Sequence, residues 1–295
     1  MKTTFIENFK LGLSIKGFYL CKEKHLRYTK NNDLYLDIIL FDSSGIIRGK
    51  MWNNIELYNP KFAKGDPVAV KGIIDEYDNQ LQLIISHINI ASDERYSQYG
   101  YDITKIIPSI SEPLEELWER LFQITNNLNN PLKKLVNNIL KKYKLKIQTL
   151  PLVTDNQYPV YGSYLKHLVN VSEITRSILP LYNHLDHDLT LSGIILYQIG
   201  KVTTYNDDPI PKYTDKGKSV GEKILSRDLV IKEAKYINKI SDETMSKLEE
   251  IILSNNKKIK YSNINSQSLE SDFVNYISMF DIQINRFITT SSNTK

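Results

Sequence analysis

Apolar and polar residues alternate with a period of two through much of the first ninety residues. In the segment 34–41, the leucine and isoleucine residues at even positions all fall on one face of an extended chain, and the turn signal Asp-Ser-Ser-Gly follows directly at 42–45. Alternation bounded by turn residues is typical of β-strands with one buried face. The predicted strands are 13–21, 34–41, 46–52, 68–74 and 81–85. Five short strands this close together predict a small β-barrel.

The order of these strands limits the folds that the barrel can adopt. Residues 53–63, between the third and fourth strands, lack a strand pattern and predict a short helix or loop. Five strands with a connector after the third is the order of an OB-fold barrel. The sequence also resembles nucleic-acid-binding OB domains in the segments 42–48, 65–72 and 77–81 and at Trp52. The resemblance implies that residues 1–92 form a nucleic-acid-binding domain.

One face of the third predicted strand carries cations and ends in an aromatic residue. A period of two places Ile46, Arg48, Lys50 and Trp52 on that face. Inside the barrel, the two charges would be buried without partners, so we expect this face to meet solvent. OB domains that hold single strands stack bases on aromatic rings and follow phosphates with cations. The alternation of cations and an aromatic residue at 46–52 therefore predicts a surface that binds a single strand. The alternative is that Trp52 caps the barrel and that the cations are ordinary surface residues.

Other residues extend this predicted surface. Tyr35 lies on the neighbouring strand, Lys71 on the fourth strand and Tyr77 in the loop between the fourth and fifth strands. The loop between the first and second strands borders the usual binding cleft of the fold. The basic residues expected in that loop are Lys22, Lys24, His25 and Arg27. The predicted partner of this domain is single-stranded RNA or DNA.

A run of lysines follows the predicted barrel. Residues 93–112 show no sustained period and predict a linker, whereas 113–157 predict a basic helical connector that begins with a helix capped by Ser111. Six lysines and no acidic residue occur in 131–148. On the outer side of a predicted helix, Lys133, Lys134 and Lys141 are candidates for contacts with phosphates. The alternative is a solvated helix face.

The remaining residues, 158–295, show helical periodicity in the segments 163–179, 189–201, 241–253 and 269–288. The segments 185–189, 192–196, 199–201 and 213–218 resemble the HD-type phosphohydrolase domain. From about residue 17 to 287, the chain resembles the YhaM-type 3′–5′ exoribonucleases, which pair an N-terminal OB domain with a C-terminal HD domain. The resemblance implies a multi-domain α+β protein, in which a five-stranded OB-fold β-barrel precedes an all-α HD-like domain.

The resemblance also implies a metal site, most of whose ligands are substituted in this sequence. HD enzymes bind divalent metal through histidines and aspartates from several helices, and the metal activates water. The first histidine of the family matches His167, and the His-Asp pair that names the domain falls on Tyr197 and Gln198. The later ligand positions fall on Glu222, Asn255, Asn256 and Ser278, with Asp281 one turn beyond the last. Phenol and amide groups are poor metal ligands near neutral pH.

We interpret residues 158–295 as a degenerate, catalytically inactive HD-like domain that requires no cofactor and offers a surface to a protein partner. His167, without its partners, is expected to be a hydrogen-bonded core histidine. Two alternatives remain open. In one, His167, Glu222 and Asp281 rebuild a site for Mn²⁺ or another divalent metal, and the protein is a metal-dependent 3′–5′ exonuclease. In the other, the protein is an interaction scaffold.

The amino-acid composition argues against several other classes of protein. The single cysteine, Cys21, excludes an internal disulfide and a cysteine-rich zinc site. Glycine is scarce, at 12 of 295 residues, and no glycine-rich phosphate-binding motif occurs. No run approaches about 18 apolar residues, and the first ten residues lack an apolar leader, so we expect no membrane association and a cytoplasmic location. The predicted function is binding of single-stranded nucleic acid without hydrolysis.

Overall fold

The computed structural model describes residues 4–152, 160–208, 211–254 and 268–292, apart from the side chains of Asp93 and of 286–292. The chain divides into two compact units. The first comprises the N-terminal residues up to Ser109 together with Val160, and the second comprises Ile110–Leu152 and the described residues from Tyr161 onward. Each unit has a hydrophobic core of its own.

The first unit is a closed five-stranded barrel with the strand order β1-β2-β3-β5-β4. Its strands are β1 (Ser14–Tyr28), β2 (Leu34–Phe41), β3 (Ile46–Met51), β4 (Pro67–Tyr77) and β5 (Gln80–Ile90). Neighbours are antiparallel except β3 and β5, and β4 pairs with β1 to close the barrel. The connection from β3 to β4 contains helix α1 (Ile55–Tyr58) and a 3-10 turn (Asn59–Lys61). The predicted five-stranded OB barrel is confirmed.

The barrel interior is filled by the alternate residues of each strand. Leu36, Ile38 and Leu40 of β2 are buried, as their period of two predicts. The pairing of β4 with β5 shifts register at Gly72, where a Cβ atom would overlap the backbone oxygen of Ile84. A glycine is therefore needed where the two backbones approach most closely.

The first strand is longer than its sequence pattern predicts. Lys22, Lys24, His25 and Arg27 lie within β1 and not in a loop, so that expectation was wrong. Residues 20–28 pair with 34–41 of β2, and the hairpin closes at 29–33 through a bond of 2.9 Å from the Thr29 amide to the Asp33 carbonyl. The outer half of β1 is largely exposed. Backbone hydrogen bonds can hold such a strand in place although neither of its faces is buried. Because neither face needs apolar residues, the sequence shows no alternation there.

Most of the predicted linker, 93–112, has regular structure. It contains α2 (Asp93–Tyr96), a 3-10 turn (Ser97–Tyr99) and α3 (Ile103–Ile106). Tyr101 and Ile106 are buried, and the Phe18 ring of β1 lies 5.2 Å from the Tyr101 ring, measured between centroids. These apolar contacts place the segment up to Ser109 in the first unit.

The second unit is helical, which confirms the helical part of the predicted fold. Its helices are α4 (Leu114–Thr125), α5 (Leu132–Lys142), α6 (Lys144–Thr149), α7 (Ser163–Ile178), α8 (His187–Leu196), α9 (Lys201–Thr204), α10 (Asp215–Val220), α11 (Glu222–Ala234), α12 (Asp242–Leu253) and α13 (Leu269–Ser292). Pro113, and not Ser111, precedes the first turn of α4. Helix α8 is buried from Leu189 to Leu196 and lies against α5, α7, α12 and α13. No helix in the described ranges is both long and apolar enough to cross a bilayer.

Candidate nucleic-acid interface

A groove of about 470 Å³ lies on the outer face of the barrel. The tip of the β1–β2 hairpin contributes Tyr28 and Lys30 to its lining, and β2 contributes Tyr35. Lys50 and Trp52 reach it from the end of β3, and the end of β4 contributes Asp75 and Tyr77. Strand β5 adds Gln82 and Ile84. Strand register explains this convergence, since Lys50 pairs with Asp37 of β2 on one side and with Ile84 of β5 on the other.

Three aromatic side chains, Tyr35, Trp52 and Tyr77, form what we call the aromatic platform. The Tyr35 and Trp52 rings are stacked, with centroids 4.8 Å apart and planes inclined by 26°. Trp52 is 40% exposed and Tyr77 67% exposed, so ring surface remains open to a ligand. Exposed stacked rings of this kind provide flat surfaces on which successive bases can stack.

Lys50 is the cation of the aromatic platform. Its Nζ atom lies 4.7 Å from the ring centroid of Tyr77, 5.7 Å from that of Trp52 and 5.9 Å from that of Tyr35. It makes no ion pair with any residue in the described part of the chain. The positive charge of Lys50 is therefore available to a phosphate without an ion pair having to break.

Arg48 shares the solvent-exposed face of β3, as predicted, but its charge is already compensated. Its guanidinium donates two hydrogen bonds, of 3.0 and 3.1 Å, to the carboxylate of Asp37. Arg27 of β1 contacts the same carboxylate at 3.0 Å, and Asp37 is only 5% exposed. Two arginines thus share one carboxylate and keep a net charge of about +1 between them. This cluster ties β1, β2 and β3 together beside the aromatic platform.

Two other basic residues of the barrel lie away from the groove. Lys71 is exposed on β4 but pairs in register with Lys16 and His87, about 20 Å along the strand from Tyr77. Lys24 donates hydrogen bonds from Nζ to the backbone oxygens of Asn59 and Phe62, and burial lowers its pKa. The structure therefore brings Tyr35, Lys50, Trp52 and Tyr77 together, without these two lysines.

Asp75 and Gln82 belong to the groove and were not predicted from the sequence. An acidic residue is not expected in a site for a polyanion, so a search for cations and aromatic rings passes over it. The signal that identifies Asp75 is its position two residues before Tyr77, which places both on one face of β4.

The lysine run of the second unit is partly neutralised by acids that are distant in sequence. Lys142 pairs with Glu233 at 3.6 Å, Lys144 with Glu115 at 2.8 Å and Lys146 with Asp207 at 2.7 Å. Of the predicted phosphate contacts, Lys133 donates to the backbone oxygen of Asn126 at 2.7 Å, and Lys141 lies 5.8 Å from the Phe122 ring centroid. Lys134 is exposed. The run is therefore not an uncompensated cationic stripe, and a role for these three lysines stays a prediction.

Several positions at which the HD resemblance expected metal ligands lie close together in the second unit. His167 is 2% exposed, and its Nδ1 lies 2.6 Å from Oδ2 of Asp281. The amide of Asn170 donates to the other carboxylate oxygen at 3.1 Å. One turn before Asp281, the Oγ atom of Ser278 accepts a hydrogen bond of 3.2 Å from Gln198. His167 is therefore a buried, hydrogen-bonded histidine, as expected.

The neighbouring Tyr197 belongs to a second group of buried polar side chains. Its hydroxyl donates to Oδ1 of Asn275 at 2.5 Å and accepts from Nζ of Lys223 at 3.0 Å. Burial, and next the charge of Glu222, raise the pKa of Tyr197 to about 12. A phenol with so high a pKa stays neutral at physiological pH and is a poor metal ligand.

Glu222 does not join His167 and Asp281. Its carboxylate pairs with Nζ of Lys201 at 3.0 Å. Within the described ranges, no three histidine, cysteine, aspartate or glutamate side chains are grouped so that they could hold a metal ion. Asn255 and Asn256 lie outside the described residues. The three residues of the alternative metal site are thus not assembled in the described structure.

Comparison with known proteins finds similarity in the barrel. Residues 24–91 match the family described as "OB-fold nucleic acid binding domain". Similar solved structures include the second OB-fold domain of replication protein A from Methanococcus maripaludis, with 22% identity over 31% of this chain and 96% of that chain and a TM-score of 0.26. Another is the mitochondrial single-stranded DNA binding protein Rim1 of S. cerevisiae, with 17% identity over 28% of this chain and 97% of that chain and a TM-score of 0.25.

Proposed function

We propose that the first unit binds single-stranded nucleic acid in the groove beside the aromatic platform. The observation that carries this proposal is the stacked Tyr35–Trp52 pair with Lys50, which has no ion pair in the described structure, next to it. The barrel match to a nucleic-acid-binding family supports the same ligand class.

In this proposal, the rings and the cation have different tasks. Bases stack on the exposed surfaces of Trp52 and Tyr77, which favours a single strand because paired bases in a duplex cannot reach the rings. Lys50 leaves the rings to contact a phosphate between stacked bases. Arg27 and Arg48 hold Asp37 and keep the three strands under the platform in register, and their residual charge adds to the attraction of the backbone.

Titration of labelled single-stranded DNA and RNA, followed by fluorescence anisotropy, tests the proposal. A stacked base contributes about 1–3 kcal/mol, so Trp52→Ala is expected to weaken binding by about 5- to 150-fold. Tyr99→Ala is the matched control, because Tyr99 is 48% exposed on the same unit but does not line the groove. Absence of binding by the wild-type protein, or equal affinities of both variants and wild type, would contradict the proposal.

For the second unit, we infer a degenerate HD-like domain without catalytic activity. The support is that positions at which the HD resemblance expects metal ligands lie close together. His167 contacts Asp281, and Gln198 donates to Ser278, one turn earlier on α13. Amide, hydroxyl and phenol groups occupy positions at which the HD resemblance expects metal ligands. The inferred role is a protein-binding scaffold, and the cytoplasmic location stays a prediction.

The competing hypothesis is a metal-dependent 3′–5′ exonuclease. It predicts that an end-labelled single strand is shortened in the presence of Mn²⁺ and that EDTA or His167→Ala abolishes the shortening. The inactive domain predicts an intact strand under the same conditions. Stoichiometric transition metal in the purified protein, or cleavage that His167→Ala removes, would overturn our inference.

A further inference from the structure

The groove contains a carboxylate directly beside the aromatic platform. Asp75 and Tyr77 are two residues apart on β4, so their side chains leave the same face about 7 Å apart. Asp75 is exposed and makes no ion pair with any residue that the structure describes. A free carboxylate repels phosphate, so the part of a bound strand that lies next to Asp75 must be a base and not the backbone.

An amide lies next to this carboxylate. Gln82 of β5 pairs in register with Asp75 on one side and with Arg48 on the other, and its side chain lines the groove. Glutamine offers two N–H donors and one acceptor, whereas an ionised aspartate offers acceptors only. Gln82 is only 8% exposed, and the part of it that remains accessible faces the groove. The groove therefore presents two carboxylate oxygens and, one strand away, an amide that can donate to a group inside it.

The bases of a single strand differ in how well their free edges fit this pattern. Guanine carries two adjacent donors, N1–H and the N2 amino group, beside the acceptor O6. A carboxylate can accept both donors at once, and a neighbouring amide can donate to O6. Adenine and cytosine have one amino donor next to a ring nitrogen acceptor, which a carboxylate repels. Thymine and uracil have one donor between two acceptors. Guanine alone satisfies both oxygens of the carboxylate.

We propose that Asp75 and Gln82 select guanine within the bound single strand, at the position stacked on Tyr77. This inference rests on the proposed function and deepens it, because it names the base that the groove recognises. Asp75 acts through the N1–H and N2 amino groups of the base, and Gln82 acts through O6.

Anisotropy titrations with short oligothymidylates that carry one central substitution test the inference. The central nucleotide carries thymine, guanine or hypoxanthine as its base. Hypoxanthine differs from guanine only in that it lacks the N2 amino group. A bidentate contact to a base edge discriminates by about 5- to 150-fold, so the guanine oligonucleotide should bind tighter than the thymine one by a factor in that range. The hypoxanthine oligonucleotide should bind with an affinity close to that of the thymine oligonucleotide.

Two variants separate the inference from the proposed function. Asp75→Asn replaces one acceptor with a donor and should abolish the guanine preference. Binding to the all-thymine strand should not weaken, because the substitution removes a charge that repels phosphate. Glu76→Gln removes the same charge from the next exposed residue, which does not line the groove, and should keep the preference. Equal wild-type affinities for the guanine and thymine strands, or an unchanged preference in Asp75→Asn, would overturn the inference and leave strand binding intact. Failure to bind either strand would instead refute the proposed function.

Discussion

Replacement of Lys50 by methionine tests how the aromatic platform engages the backbone of a single strand. The variant keeps an unbranched side chain against the rings and removes only the ammonium group, which lies 4.7 Å from the Tyr77 ring centroid. Since no ion pair holds this group in the described structure, Lys50 can move to a phosphate at little cost. We expect Lys50→Met to bind single strands more weakly and with a smaller dependence on salt.

The size of the effect follows from the release of counterions. For single strands, each neutralised phosphate contributes about 0.7 to the slope of log affinity against log salt concentration. Between about 50 and 200 mM salt, one contact therefore corresponds to about a 2.6-fold change, and the ratio of wild-type to variant affinity should fall by that factor. Loss of the cation–π contacts should also destabilise the free barrel by about 0.5–1 kcal/mol.

Anisotropy titrations of both proteins with an oligothymidylate at several salt concentrations measure this slope. Lys61→Met is a close control, because Nζ of Lys61 lies 4.7 Å from the Tyr58 ring centroid and Lys61 does not line the groove. Both substitutions remove one positive charge and a cation–π contact of 4.7 Å, and Lys50→Met also removes the two longer contacts with Trp52 and Tyr35. A slope that is unchanged in Lys50→Met, or reduced equally in both variants, would falsify the assignment of Lys50 to a phosphate contact.

Three further predictions concern stability within each unit. Asp37→Asn should lower the free energy of unfolding by about 1–2 kcal/mol. This value lies at the low end for charged hydrogen bonds, because both arginine partners are half-exposed. An unchanged urea midpoint would contradict this prediction. Gly200→Ala should cost about 1–3 kcal/mol, since the new Cβ would overlap the backbone oxygen of Glu222; a thermal midpoint equal to that of wild type would show that α11 can yield. Burial raises the pKa of the Cys21 thiol from 9.0 to about 12, so between those values the unfolded chain loses a proton that the folded chain keeps, and the free energy of unfolding should fall as pH rises. Comparison with Cys21→Ala isolates this contribution, and rapid alkylation of the native thiol at about pH 9 would argue against a buried, protonated group.

The barrel was largely predictable because its strands have one buried face. Leu36, Ile38 and Leu40 point into the barrel core, which requires apolar residues. Alternate positions of the strand are therefore apolar, and the sequence shows a period of two. The outer half of β1 was missed for the opposite reason, since its side chains are mostly solvated and backbone hydrogen bonds alone hold it. The segment after β5 was assigned to a linker because helices of a single turn, such as α3, are too short to show a helical period.

The sequence by itself determined that Arg48, Lys50 and Trp52 share a solvent-exposed face, because alternation along a strand depends only on the backbone. Only the tertiary structure decided what their charges can do. It placed Asp37 against Arg48 and left Lys50 among aromatic rings, and it gave three lysines of the run 131–148 acidic partners from remote helices and loops. The physical reason is that electrostatic energy depends on distance in space, and folding brings together charges that the sequence keeps far apart.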